Sequence, residues 1–144
     1  MKVLGVMISN TLKWEENTDY ITEKARKKIW ILRGMKKIGL TISQLVDAYK
    51  KEVRSLLELA VPVWSQGITV DQSLKIERVQ KAALSAITGD YNETYDVLRE
   101  KYKLQRLSTR RDQICKKFIE KNMKSESPFF KVTEKSIILE ASQI

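Results

Sequence analysis

The stretch NTDYITEKARKKIWILRGMKKIGL, residues 17–40, decides the fold class. At about 100° per residue, Ile21, Ala25, Ile29, Leu32 and Met35 fall on one stripe, while Arg26, Lys27, Trp30, Arg33 and Lys37 gather on the opposite side. A strand would alternate every second residue, and this stretch does not. The spacing predicts a helix that begins near Asn17 or Thr18, carries Asp19 at its positive end, and stops before Gly39, which suits a left-handed cap.

Working outward, Thr41 followed by Gln44 is a capping-box signature, and Leu45, Tyr49, Val53, Leu56 and Ala60 recur at helical spacing until Pro62. Asp71 reads as the N-cap of a third helix, with Ile76, Val79, Ala83, Ala86 and Ile87 on its stripe and Gly89 at its end. A short fourth helix is expected around Glu93 to Tyr102. A fifth runs from about Ser108 to Met123 with Ile114, Cys115, Phe118 and Ile119, before Pro128-Phe129-Phe130 closes it. Before the first helix, Val3, Leu4, Val6, Met7 and Ile8 surround Gly5 and read as one short strand, whose sheet is expected either to be small or to lie in a neighbouring domain. The expectation is a mostly α protein: a helical bundle of about five helices with one short N-terminal strand. Residues 1–10 hold the strand, 11–127 the bundle and 128–144 a tail containing Ile137-Ile138-Leu139.

A chain of 144 residues with 42% hydrophobic side chains has material for one core. It contains no histidine, which excludes Ser-His-Asp and Cys-His nucleophile systems and histidine-ligated metals. Cys115 is the single cysteine, so no intrachain disulfide or Cys-rich zinc site can form, and an intracellular setting, nucleus or cytoplasm, is expected. The longest apolar run, Leu56 to Trp64, is interrupted by Glu58 and Pro62, far short of the ~20 residues of a membrane span. A net charge of +9, spread over both halves of the chain, points to polyanionic partners.

Leu4-Gly5-Val6, KARKKIWILRGMKKIGL (24–40), YKKEVRSLLELAVPVWSQG (49–67) and IERVQKAALSAITGD (76–90) occur in that order. Together they resemble the end of the palm, the thumb and the tail of the reverse transcriptase of non-long-terminal-repeat retrotransposons of the Jockey and chicken-repeat type. Glu58, Pro62, Trp64, Glu77-Arg78-Val79-Gln80 and Ala83 carry most of the likeness, which spans roughly residues 2 to 130. Val61 and Glu52 depart from the family's pattern, where a small polar and an apolar residue are usual. The resemblance implies that Leu4, Gly5 and Val6 are similar to the strand supporting the primer's 3′ end, and that the following helices form the thumb that holds the duplex. An upstream polymerase palm would then be a partner, and this chain a fragment. The family's aromatic-Ala-Asp-Asp motif holds two magnesium ions, and this sequence has no Asp-Asp pair. No polymerase activity, catalytic residue, metal or cofactor is therefore expected of it.

The candidate nucleic-acid contacts are Arg26, Lys27, Trp30, Arg33 and Lys37, because cations along one helix face can follow a phosphate backbone and an indole can pack on sugar or base. Lys24 and Lys28 lie nearer the apolar stripe and rank lower. A second basic cluster comprises Arg106, Arg110, Arg111, Lys116, Lys117, Lys121 and Lys124, where helix-dipole complementation and pairing with Asp112 and Glu120 compete with ligand contact. Asp90, Glu93 and Asp96 suit capping better than metal binding, and Glu58 and Glu77 suit bonds between helices. The expected function is a non-catalytic clamp on an RNA–DNA or RNA template–primer duplex. The alternative is a retroelement-derived protein-interaction module that docks through the Pro128-Phe129-Phe130 and Ile137-Ile138-Leu139 segments.

Overall fold

The computed structural model describes residues 1–11 and 13–123. The N-terminal run is not one strand. It folds back on itself as an antiparallel hairpin of β1 (Lys2–Val3) and β2 (Val6–Met7), pairing Lys2 with Met7 and Val3 with Val6. Leu4 (φ 47°) and Gly5 (φ 84°) both take positive φ, as the tight two-residue turn between twisted strands requires. The turn is hidden in the sequence because Leu replaces the Asn or Asp that normally announces it. The missing strand partner is thus internal, and Asn17 Oδ1 ties the hairpin to the bundle by accepting the Met7 N–H at 3.1 Å.

α1 (Glu15–Lys37) starts two residues before the expected Asn17, with Asn17 and Thr18 buried inside its first turns. Its end is a Schellman closure: the Leu40 N–H reaches Met35 O at 3.2 Å, the Gly39 N–H reaches Lys36 O at 3.1 Å, and Gly39 sits at φ 94°. The capping box at Thr41 and Gln44 opens α2 (Ile42–Tyr49). That helix continues through a π-helical turn (Lys50–Arg54) into α3 (Ser55–Leu57). The wider π turn shifts the buried stripe to Tyr49, Val53 and Leu57, leaving Leu56 and Ala60 half-buried instead of in the core. The rod ends at Leu57, before Pro62. Ala60 then takes the left-handed conformation (φ 52°), and Pro62 lies in the first turn of a new short helix, α4 (Val61–Trp64), where its missing N–H costs no hydrogen bond.

α5 (Val70–Thr88) is capped by Thr69, not by Asp71, with Gln72 completing the capping box and Asp71 adding its charge to the positive end. α6 (Tyr95–Lys101) and α7 (Leu107–Asn122) follow. The mostly α bundle is as expected. α1 and α5 run parallel: Lys75 pairs with Asp19 near their starts, Ala82 stands beside Ile29 and Trp30 midway, and Lys36 reaches Gly89 at their ends. The core between them and the α2–α3 rod contains Ile21, Ala25, Ile29, Leu32, Tyr49, Ile76, Val79 and Ala83. Trp64 is fully buried and donates its indole N–H to Leu59 O at 2.8 Å, closing the chain reversal between α3 and α4. No helix among the described residues is long and apolar enough to cross a membrane. The tail segments Pro128-Phe129-Phe130 and Ile137-Ile138-Leu139, with Lys124, lie outside the described residues.

Candidate nucleic-acid interface

The α1 stripe that begins at Arg26 and continues through Trp30, Arg33 and Lys37 faces away from the core, because Ile21, Ala25, Ile29 and Leu32 hold the other side of the helix down. Trp30 is 68% exposed. Its indole divides two open grooves of similar size. The one towards α5, about 370 Å³, is lined by Arg26, Ile29, Trp30, Arg33 and Ala82. The one towards the α2–α3 rod, about 360 Å³, is lined by Lys24, Lys28, Trp30, Ile31 and Leu56, and Lys27 borders both.

The cations differ in how free they are. Lys27 pairs with Glu23 at 2.7 Å within α1, and that contact holds the exposed Glu23 carboxyl below the usual range. Lys28 reaches Glu52 at 3.3 Å, and Lys24 lies over the Tyr20 ring, 4.7 Å from its centroid. Lys2 covers the same ring at 4.8 Å, and hydrogen bonds from Lys2 and then Lys24 lower the Tyr20 phenol below its ordinary value. Arg26, Arg33 and Lys37 form no ion pair among the described residues. Arg26, Trp30 and Arg33 therefore come together at one groove, while Lys37 stands one turn beyond it at the helix end.

The arginines of the second basic cluster are taken up by folding, while Lys116, which reaches Glu120 at 4.0 Å, Lys117 and Lys121 stay exposed on α7. Arg110 grips Glu58 with both Nε and Nη2, the latter at 3.0 Å, and Arg54 approaches the same carboxylate at 4.0 Å. This grip raises the Arg110 guanidinium above its ordinary value, while burial and then the neighbouring Arg110 charge lower Arg54. Arg106 pairs with Asp96 at 2.6 Å and lies 5.7 Å from the Tyr95 ring centroid, and Arg111 is buried. Three arginines that sequence spacing placed on one basic face thus brace α7 against its neighbours. Asp90 accepts the Asn92 and Glu93 N–H groups, and Asp96 binds Arg99 and Arg106, so these acids serve turns and ion pairs. No group of three or more metal-ligating side chains occurs among the described residues.

Two exposed cations joined this surface only through the fold. Arg78 lies on the edge of α5 that carries Lys75 and Ala82, the residues that meet α1, and Lys81 lies one helical step further out. Neither has an ion-pair partner among the described residues. Their contribution is invisible until α5 is known to run parallel to α1. Ala82 keeps the floor between the two helices low, where a larger side chain would fill the groove.

At the far end of α1, Leu4 is 94% exposed at the tip of the hairpin, with a backbone conformation that a leucine adopts at a cost of about 1–2 kcal/mol. Gly5 packs so close to Leu59 that an added Cβ would stand 2.8 Å from Leu59 Cδ2, and Val6 is buried. The three residues therefore separate into an apolar tip, a close-packed turn and an anchor. No family model, curated protein or solved structure matches the chain.

Proposed function

We propose that this chain is a non-catalytic, thumb-like clamp that holds an RNA–DNA or RNA template–primer duplex by its backbone. The observation that carries the reading is Trp30: a largely exposed indole between two cation-lined grooves, on a helix whose other side is fully occupied by core packing. Folding gains little from that indole in that place, whereas a sugar or base offers it a flat apolar partner. Arg26, Arg33 and Lys37, unpaired among the described residues, supply the charge that phosphates attract.

A clamp that must pass any sequence relies on phosphate and shape contacts, so its specificity is low and its salt dependence steep. The likeness to retrotransposon reverse transcriptases supports the same reading, and Leu4-Gly5-Val6 fits it as a tip that meets the primer end beside an upstream palm. The strained, exposed Leu4 is a feature kept at some expense of stability, as functional positions often are.

The deciding experiment is equilibrium binding to an RNA–DNA primer–template over a salt series, with double-stranded DNA as competitor. The native chain is compared with an Arg26→Ala, Lys27→Ala, Arg33→Ala, Lys37→Ala variant. Binding that falls steeply with salt, and is weaker with a shallower slope in the variant, supports the clamp. Absence of duplex affinity at low salt, together with a stable dimer by light scattering, would instead favour the protein-interaction module.

A further inference from the structure

The two grooves beside Trp30 differ in chemistry. On the α5 side stand Arg26 and Arg33, which form no ion pair among the described residues. On the rod side every cation is a lysine, and Ile31 and Leu56 lie between them. Two of those lysines are already partly neutralised, Lys27 by Glu23 and Lys28 by Glu52. A row of phosphates therefore finds its free charge on the α5 side, which leaves the rod-side groove without a partner.

That groove continues towards the hairpin. A smaller pocket of about 80 Å³ is lined by Lys2, Gly5, Tyr20, Lys24, Leu56 and Leu59, and Lys24 and Leu56 line both cavities. From Tyr20 to Ile31 the channel follows α1 for about three helical turns, or ~16 Å. Its apolar wall is a product of the π-helical turn, which puts Val53 and Leu57 in the core and leaves Leu56 half-buried beside the lysines. Such turns are rare in helices and gather at functional sites. Leu59 is 40% exposed beyond it.

The charge at the hairpin end is unanswered. Lys2 and Lys24 both lie over the Tyr20 ring, and neither has a carboxylate partner among the described residues. Among those residues no acidic side chain lines either cavity. Two ammonium groups gathered on one ring repel each other, and a carboxylate between them removes that repulsion.

We propose that this channel docks an acidic amphipathic helix of a partner protein, whose apolar side chains lie on Leu56, Leu59 and Trp30 and whose carboxylate enters between Lys2 and Lys24. Charge and shape select this occupant. An amphipathic helix sets apolar anchors three or four residues apart on one face with acids along its borders, which complements leucines flanked by lysines. A duplex has no apolar side chains to offer Leu56 and Leu59. The proposal does not rest on the duplex-clamp reading, because it takes the groove that the free arginines do not line.

The test pans a phage-displayed random peptide library, about 12 residues long to match three helical turns, against the full chain. Enriched peptides are then synthesised, labelled and titrated by fluorescence anisotropy. Their sequences should carry apolar residues three or four apart with Asp or Glu beside them. Affinity should fall about tenfold or more in Leu56→Ala, which loses apolar contact, and about fivefold or more in Lys24→Glu, which turns attraction into repulsion. Arg33→Ala, which alters only the α5 side, should leave peptide affinity unchanged. Lys24 is exposed, so its variant keeps the test decisive where Leu56→Ala fails to fold. Absence of enriched peptides overturns the proposal, as does enrichment of sequences without acids. So does affinity that Leu56→Ala and Lys24→Glu leave unchanged, or that Arg33→Ala alone reduces. With no peptide enriched, a loss of RNA–DNA duplex binding in Leu56→Ala assigns the groove to nucleic acid instead.

Discussion

Glu77 Oε1 accepts the backbone N–H of Ser108 at 2.7 Å, so a carboxylate in the middle of α5 caps the start of α7, 31 residues further along the chain. α7 has no side-chain cap of its own, since Arg106 occupies its N-cap position. The other oxygen of Glu77 accepts from the Tyr95 hydroxyl, which in turn accepts from Gln80 Nε2 at 2.7 Å. Gln80 donates also to Gln105 O at 3.0 Å and accepts from the Tyr49 hydroxyl. One buried polar chain thereby links the α2–α3 rod, α5, α6 and α7, and holds the basic faces at fixed positions.

Replacing Glu77 with Ala removes a charge-assisted cap and leaves both the Ser108 N–H and the Tyr95 hydroxyl without an acceptor, which should lower stability by about 2–4 kcal/mol. Glu77→Gln retains an oxygen for Ser108 and should cost about 1 kcal/mol. Urea denaturation of both variants measures the difference. Equal losses would mean that a neutral amide oxygen cannot replace the carboxylate and that its charge carries the whole cap at the α7 start.

The same network predicts an alkaline limit. Burial pushes the Tyr49 phenol well above its ordinary value. Burial and the bond to Glu77 do the same to Tyr95. In the unfolded chain both titrate near pH 10. Their contribution to stability is therefore fully present below about pH 10, and above that pH the unfolded state loses protons that the folded state keeps. Stability should fall by up to about 1.4 kcal/mol per pH unit for each tyrosine until the folded groups also ionise. Phenolate absorbance provides the check: Tyr49→Phe and Tyr95→Phe should leave the spectral change of the folded chain just above pH 10 unaltered and should flatten the alkaline fall in stability.

At the hairpin tip, stability and the clamp reading pull in opposite directions. Leu4→Asn places in the turn a residue that accepts positive φ readily, and should stabilise the hairpin by up to about 1 kcal/mol, seen as slower exchange of the Ile8 N–H that bonds to Met1 O. With Leu4 meeting the primer end, the same variant should bind a primer–template severalfold more weakly. A more stable variant with unchanged affinity would reduce Leu4 to an exposed turn residue.

The period of residues 17–40 made the first helix and its buried stripe legible, and the same period gave the α5 stripe, because each side of these helices has one role along its length. Helical spacing puts the α2–α3 stripe one residue out of phase at Leu56, since a π turn leaves no mark in hydropathy. The hairpin has the pattern of a single strand because Leu4 disguises its turn. At the site, Trp30 among cations was visible locally, but a basic residue on an exposed helix face and one that braces a neighbour have the same spacing. Only the positions of Glu58, Asp96 and Ser73 separate Arg110, Arg106 and Arg111 from Arg26 and Arg33.

Arg78 gives the clamp reading its sharpest mutational test, because it entered the surface solely through the parallel alignment of α1 and α5. Arg78→Ala removes an exposed side chain with no ion-pair partner among the described residues, and should change folding stability by less than about 0.5 kcal/mol. With its guanidinium on a phosphate, the variant should weaken primer–template binding uniformly across sequences and reduce the salt slope by about 1. Trp30→Ala should act differently: stability stays within the same narrow limit, affinity drops by about 1–3 kcal/mol, and the salt slope is unchanged, since stacking releases no counterions. The two single variants therefore separate charge from stacking on one surface. An Arg78→Ala chain with native affinity and slope would confine the grip to α1 alone, whereas a Trp30→Ala chain with native affinity would remove the observation on which the duplex-clamp reading rests.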